Sequence, residues 1–211
     1  MAERRRETLA ERRVRRGEID DPAVVLEAAA RFLEVRPRSI AEVRKRLSSA
    51  GYRAELIDGA IERLTELGML DDTAFAAMWV ESRDRAHPRG EHALIIELRQ
   101  KGVDATIIAA TLKARREAAV RWEDAPAQEP DPGDGHRSTS RDDPPDLVAA
   151  RKLVAQHARS LARVADARAR RQRAYALLAR NGFDPETCRA ISREIDDDTG
   201  GGDGAEPDEG T

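Results

Sequence analysis

Leu47-Ser48-Ser49-Ala50-Gly51-Tyr52, Leu98-Arg99-Gln100-Lys101-Gly102-Val103 and Leu178-Ala179-Arg180-Asn181-Gly182-Phe183 are three versions of one string. Each sets a leucine four residues before a glycine and an apolar residue directly after it. The likeness extends outward. Eight residues upstream of the glycine stand Val43, Leu94 and Ala174; from five residues downstream run Leu56/Ile57/Ala60/Ile61, Ile107/Ile108/Thr111/Leu112 and Thr187/Cys188/Ile191/Ser192. These are helical offsets. They describe one helix that ends near a glycine in a left-handed conformation, followed by a second helix with its own apolar stripe. A repeated helical unit presents an extended surface rather than a pocket, so binding is the first functional expectation.

Local signals divide the chain further. Val24, Val25, Ala28, Ala29, Phe32 and Leu33 predict a helix from Pro22 that stops at Pro37, and Ser39 with Glu42 is a capping box for the next. A third helix over 54–67 closes at Gly68. The second repeat starts at Asp71-Asp72-Thr73, breaks at Pro88-Arg89-Gly90, and runs helices over 91–101 and from Asp104 towards Arg121. Asp104 and Asp184 stand where N-caps belong, whereas Arg53 in the first repeat cannot cap its helix with a carboxylate. The glycines are 51 and then 80 residues apart, and the surplus is taken up by residues 123–146, which hold five prolines and few aliphatic side chains.

The expected architecture is all-α, with three tandem three-helix repeats at 22–68, 69–122 and 147–195 in one elongated body. A flexible arm (1–21, at best a frayed helix), an acidic disordered linker (123–146) and an acidic disordered tail (196–211) complete it. In the third repeat Leu147 to Ala158 reads as one helix.

The formal net charge of −3 hides a segregation. The tail carries seven acids and no base and the linker eight acids and two bases, so residues 22–122 and 147–195 together hold 28 bases against 19 acids. Most of that excess lies in 147–195, with 11 bases and 4 acids, which makes the third repeat the expected polyanion contact. A single cysteine, no signal-peptide pattern and no apolar run of membrane length point to the cytoplasm, without membrane contact.

Leu67-Gly68-Met69-Leu70-Asp71-Asp72 followed by Phe75-Ala76, Trp79-Val80 and Ser82-Arg83, then Glu97-Leu98-Arg99-Gln100-Lys101-Gly102-Val103 and Asn181-Gly182-Phe183, resembles the RecX family of bacterial regulators of the RecA recombinase. The resemblance spans about 22–122 and 147–195. It implies a curved rod of three-helix repeats that lodges in the groove of the RecA–DNA filament and modulates, in the inhibitory direction, strand exchange and ATP hydrolysis in homologous recombination, DNA repair and the SOS response. His87-Pro88-Arg89-Gly90-Glu91-His92 departs from the family's glycine-lysine-glycine-proline turn and lowers the positive charge there, and the acidic linker and tail are atypical.

Catalytic and metal readings are weaker. Trp79 and Cys188 fall on apolar stripes and are expected in the core. Asp71 and Asp72 are adjacent at a helix start and read as caps rather than an acid–base pair. His87 and His92 lack converging partners for a metal. No cofactor is expected. The candidate contacts to filament DNA or acidic protein surface are Arg44, Lys45, Arg46, Arg83, Arg89, Arg99 with Lys101, and Arg168, Arg170, Arg171, Arg173. The chain is expected to be a monomeric, non-enzymatic regulator whose partner is the RecA nucleoprotein filament, with direct contact to single- or double-stranded DNA in addition. The alternative is a stand-alone helical module that binds DNA without RecA.

Overall fold

The computed structural model describes residues 8–121 and 143–197. Among them are eleven helices and no strand: α1 (Leu9–Gly17), α2 (Pro22–Glu34), α3 (Ile40–Ala50), α4 (Ala54–Glu66), α5 (Asp72–Ala86), α6 (Glu91–Gln100), α7 (Ala105–Arg121), α8 (Pro145–Gln156), α9 (Ala158–Ala162), α10 (Ala167–Arg180) and α11 (Pro185–Asp197). The first repeat is α2–α4, the second α5–α7 and the third α8–α11. The acidic linker lies outside the described residues except for 143–146, and the tail except for 196–197.

The repeated string has a local cause. In each copy the N–H of the residue after the glycine reaches back to the leucine carbonyl (Tyr52 to Leu47, 3.3 Å; Val103 to Leu98, 3.1 Å; Phe183 to Leu178, 3.3 Å), while the glycine N–H bonds the next carbonyl along. This pair of bonds is the Schellman closure, which requires positive φ at the glycine; Gly102 has φ +75°. The leucine therefore serves twice, as carbonyl acceptor and as core residue, and all three leucines are 2% exposed or less. Val43, Leu94 and Ala174, one helical turn earlier on the same stripe, are fully buried.

The caps follow the sequence with instructive exceptions. Ser39 and Glu42 form the expected box, and the Thr106 and Glu186 N–H groups donate to Asp104 and Asp184 at 2.7 and 2.8 Å. Arg53 provides no cap and instead meets Asp20 at 2.7 Å. Asp71 caps its own helix by accepting from the Thr73 N–H at 2.7 Å, but Asp72 turns away and accepts from the Ile40 N–H at the start of α3, 2.9 Å away.

Three expectations are revised. Leu9–Gly17, read as an arm that at best frays, forms α1 because Thr8 and Glu11 make a capping box and the Arg16 guanidinium reaches the Ala50 carbonyl at 3.5 Å. The start of the third repeat moves back into the expected linker, since Pro145 fits the first helical position and Asp146 the first turn. Its first helix also ends at Gln156, one residue short of the break at His157 that separates off α9, so Ala158 is not on α8.

The described residues fall into two compact units: 8–79 with 97–111, and 80–96 with 112–121 and 143–197. The core of the first comprises Val25, Ala29, Val43, Leu47, Ile57, Ala60, Ile61, Leu64 and Leu70; that of the second centres on Ala149, Ala150, Leu153, Leu178, Phe183, Cys188 and Ile191.

Each unit contains one joint between successive repeats, built on the same plan. In the first unit, Ser39 Oγ donates to the Lys101 carbonyl at 2.5 Å, Asp72 holds the Ile40 N–H, and a Cβ placed on Gly102 would overlap Ala41 Cβ. In the second, the Gly90 N–H donates to the Asn181 carbonyl at 3.0 Å, Asp146 holds the Glu91 N–H at 2.9 Å, and a Cβ on Gly182 would meet Ala93. Ser39 and Gly90 occupy equivalent positions, as do Lys101 and Asn181, and Asp72 and Asp146. The residue before Gly102 and the residue before Gly182 each lend an orphan carbonyl to the preceding repeat, so the two backbones approach to contact.

Candidate nucleic-acid interface

The candidate cations divide by what already holds them. On α3, Arg44, Lys45 and Arg46 are all exposed; Arg44 pairs with Asp58, and the Arg46 guanidinium stands 5.7 Å from the Phe32 ring centroid. Lys101 is committed inside the first joint, with Nζ 2.9 Å from Glu42 Oε1 and 4.8 Å from the Trp79 ring centroid. Arg99 next to it is exposed. Arg83 is half-buried, and Arg89 donates to the Asn181 side-chain carbonyl within the second joint. On α10, Arg168, Arg171 and Arg173 are exposed and Arg170 is half-buried. Lys101 and Arg89 thus act as joint residues, whereas α3 and α10 each present a basic face.

Trp79 is not sealed in the core as its stripe suggested. It is half-buried, donates from Nε1 to Glu97 Oε2 at 2.8 Å, stacks obliquely on Phe75 at 5.9 Å and carries Lys101 on its face. Cys188 is buried as expected, its thiol pushed up by burial and by Asp184. His87 and His92 are exposed, and the described residues include no group of three His, Cys, Asp or Glu able to hold a metal ion.

Two clusters escaped the sequence reading. The first surrounds Phe32: Arg38 lies 4.2 Å over the ring, Arg46 approaches the same ring, and Arg36 bonds Glu42 at 3.1 Å. Its trace in the sequence is Arg36-Pro37-Arg38 directly before a capping box. The second is Arg115, whose side chain is only 7% exposed. It holds both Asp84 oxygens, at 2.9 and 2.7 Å, and Asp146 Oδ1 at 2.6 Å. Burial works against its charge, but the two carboxylates outweigh it and raise its pKa further. A cavity of about 430 Å³ opens beside it; its cations Arg115 and Arg116 are already held by Asp146 and Glu91, so it offers no anion site.

The described residues therefore define a class: tandem three-helix repeats, joined by helix-end hydrogen bonds and bearing arginine faces on α3 and α10. Residues 26–64 match the family model described as RecX, first three-helix domain, and residues 71–112 that of the RecX second three-helix domain. The chain is 42% identical over 91 residues to the regulatory protein RecX of Mycolicibacterium smegmatis, covering 43% of this chain and 48% of that protein. It is also 42% identical over 85 residues to the regulatory protein RecX of Pelodictyon phaeoclathratiforme, covering 40% and 53%. The chain thus spans about half the length of these curated relatives. The crystal structure of RecX from Lactobacillus salivarius shares the fold, with a TM-score of 0.62 at 19% identity over 84% of this chain and 97% of that one. Residues 26–64 and 71–112 are thus identified as the first and second three-helix domains of the RecX type. No described helix is long and apolar enough to cross a membrane.

Proposed function

We propose that this chain is a non-enzymatic regulator that binds the RecA–DNA filament and lowers its recombinase and ATPase activity. The observation that carries the reading is the match of the first two repeats to the two RecX domain models, joined by the residues quoted from Leu67 to Val103. Repeats that expose side chains along helix faces suit an extended partner better than a small substrate. The α3 and α10 arginines supply charge for phosphates or acidic side chains. Asp71 and Asp72 hold helix N-termini, and Cys188 is buried.

Co-sedimentation with RecA filaments on single-stranded DNA, read together with filament ATPase, tests this. Retention in the pellet and a fall in ATP hydrolysis are expected. A chain that binds naked DNA equally well with or without RecA would replace the reading with that of a stand-alone DNA-binding module.

A further inference from the structure

The Phe32 cluster gathers more positive charge than its surroundings neutralise. Arg38 lies 4.2 Å from the ring centroid and Arg46 5.7 Å from it, while Arg36 and Lys101 meet at one carboxylate oxygen, Glu42 Oε1, at 3.1 and 2.9 Å. The other oxygen of Glu42 accepts the capping-box N–H of Ser39. Arg36 and Lys101 therefore share one carboxylate, which also attracts Arg38. Arg38 Nε is buried and has no hydrogen-bond partner among the described residues. Its pKa is drawn below the ordinary guanidinium value, first by burial and then by the charges of Arg36 and Arg46, against the attraction of Glu42. Like charges held this close on a folded surface cost free energy unless something negative joins them.

We propose that Arg36, Arg38 and Arg46 form a site for the phosphodiester backbone of a nucleic-acid strand, resting on the filament-binding reading and locating one of its DNA contacts in the first repeat. Guanidinium groups match phosphate oxygens in a bidentate geometry, and a strand offers successive phosphates to arginines arranged around a ring. Because Arg38 covers the face of Phe32, the ring stacks on a cation and not on a base. Binding here reads charge and spacing, with no base preference. Arg44 is outside the site because it has Asp58 as its own carboxylate partner, whereas Arg36 shares Glu42 Oε1 with Lys101.

The test uses the full chain and a fluorescent single-stranded oligonucleotide, with affinity followed by anisotropy from 50 to 300 mM salt. Replacing Arg36, Arg38 and Arg46 together by Gln should lower the slope of log affinity against log salt by about 2, since each single-strand phosphate contact contributes about 0.7. Affinity at the lowest salt should fall on the order of tenfold or more. Arg38→Lys should keep the slope while losing affinity, because lysine cannot replace a stacked planar fork. Homopolymer and mixed sequences should bind alike. Unchanged helicity by circular dichroism guards against a folding defect.

An unchanged slope in the triple variant overturns the site. So does displacement of the oligonucleotide by polyglutamate as readily as by unlabelled strand, which would mark an acidic protein surface as the ligand, or by millimolar inorganic phosphate, which would mark a free-phosphate site. Loss of filament co-sedimentation in the unmodified chain with the slope effect intact would instead sink the RecA reading and leave the site standing.

Discussion

Gly102→Ala probes the joint between the first two repeats, because one methyl group meets two separable penalties. The first is conformational: Gly102 sits at φ +75°, where a residue with a Cβ loses roughly 1–2 kcal/mol. The second is steric, since the new Cβ would overlap Ala41 Cβ at the start of α3, and overpacking of this kind costs roughly 1–3 kcal/mol. Gly68 separates them. It has the same left-handed conformation, φ +68°, but a Cβ there would meet nothing within 4 Å. Gly68→Ala should therefore lose only the first contribution, about 1–2 kcal/mol, and Gly102→Ala about 2–5 kcal/mol. Urea unfolding followed by circular dichroism reads both. Ala41→Gly alone should cost up to about 1 kcal/mol as a helix substitution, yet in the Gly102→Ala background it should restore about 1–3 kcal/mol, which a double-mutant cycle reports as coupling. Equal losses at Gly68 and Gly102, together with additivity in the cycle, would refute the joint as a contact of backbones.

Three further outcomes follow from the same geometry. Arg115→Met leaves Asp84 and Asp146 without their shared cation and should cost about 3 kcal/mol by urea unfolding, whereas Arg116→Met, at an exposed pair, should cost under about 1 kcal/mol. Glu42 is half-buried, which opposes its ionisation, but Lys101 and Arg36 outweigh that and lower its pKa. Its contribution to stability is therefore present above the unfolded carboxylate value of about 4.3 and lost as pH falls through the folded value; urea midpoints between pH 6 and 3 should drop less steeply in Glu42→Gln than in the parent chain. Replacing Arg168, Arg170, Arg171 and Arg173 by Gln should weaken filament co-sedimentation more strongly at 50 mM than at 300 mM salt, and equal retention at both would remove α10 from the interface.

Much of the fold was legible because its signals are short-range. The apolar stripes from Val43 to Ile61 and from Leu94 to Leu112 bury as their offsets required, and the caps at Ser39, Asp104 and Asp184 each bond N–H groups two or three residues away. The candidate interface was legible only in part. Arg46, Arg168, Arg171 and Arg173 are exposed, whereas Arg170 is half-buried, and Arg89 and Lys101, which looked no different in sequence, bond Asn181 and Glu42. Arg36 and Arg38 were passed over because only packing brings them to Arg46, across Phe32.

Leu64-Thr65-Glu66-Leu67-Gly68-Met69 shows where the boundary lies. It makes the same closure as the three signature strings, with the Met69 N–H on the Leu64 carbonyl at 2.9 Å and the Gly68 N–H on that of Thr65. Six consecutive residues suffice to write those bonds, so the chain's order alone dictates where such helices end. Yet Met69 is half exposed and a Cβ on Gly68 would meet nothing within 4 Å, whereas one on Gly102 would meet Ala41. Likewise Asp71 caps its own helix while its neighbour Asp72 caps one that begins 32 positions earlier. Which glycine becomes a joint, which aspartate reaches across, and which arginine is buried depend on partners distant along the chain. Such partners meet only when the apolar faces have docked, and the tertiary structure alone decides them.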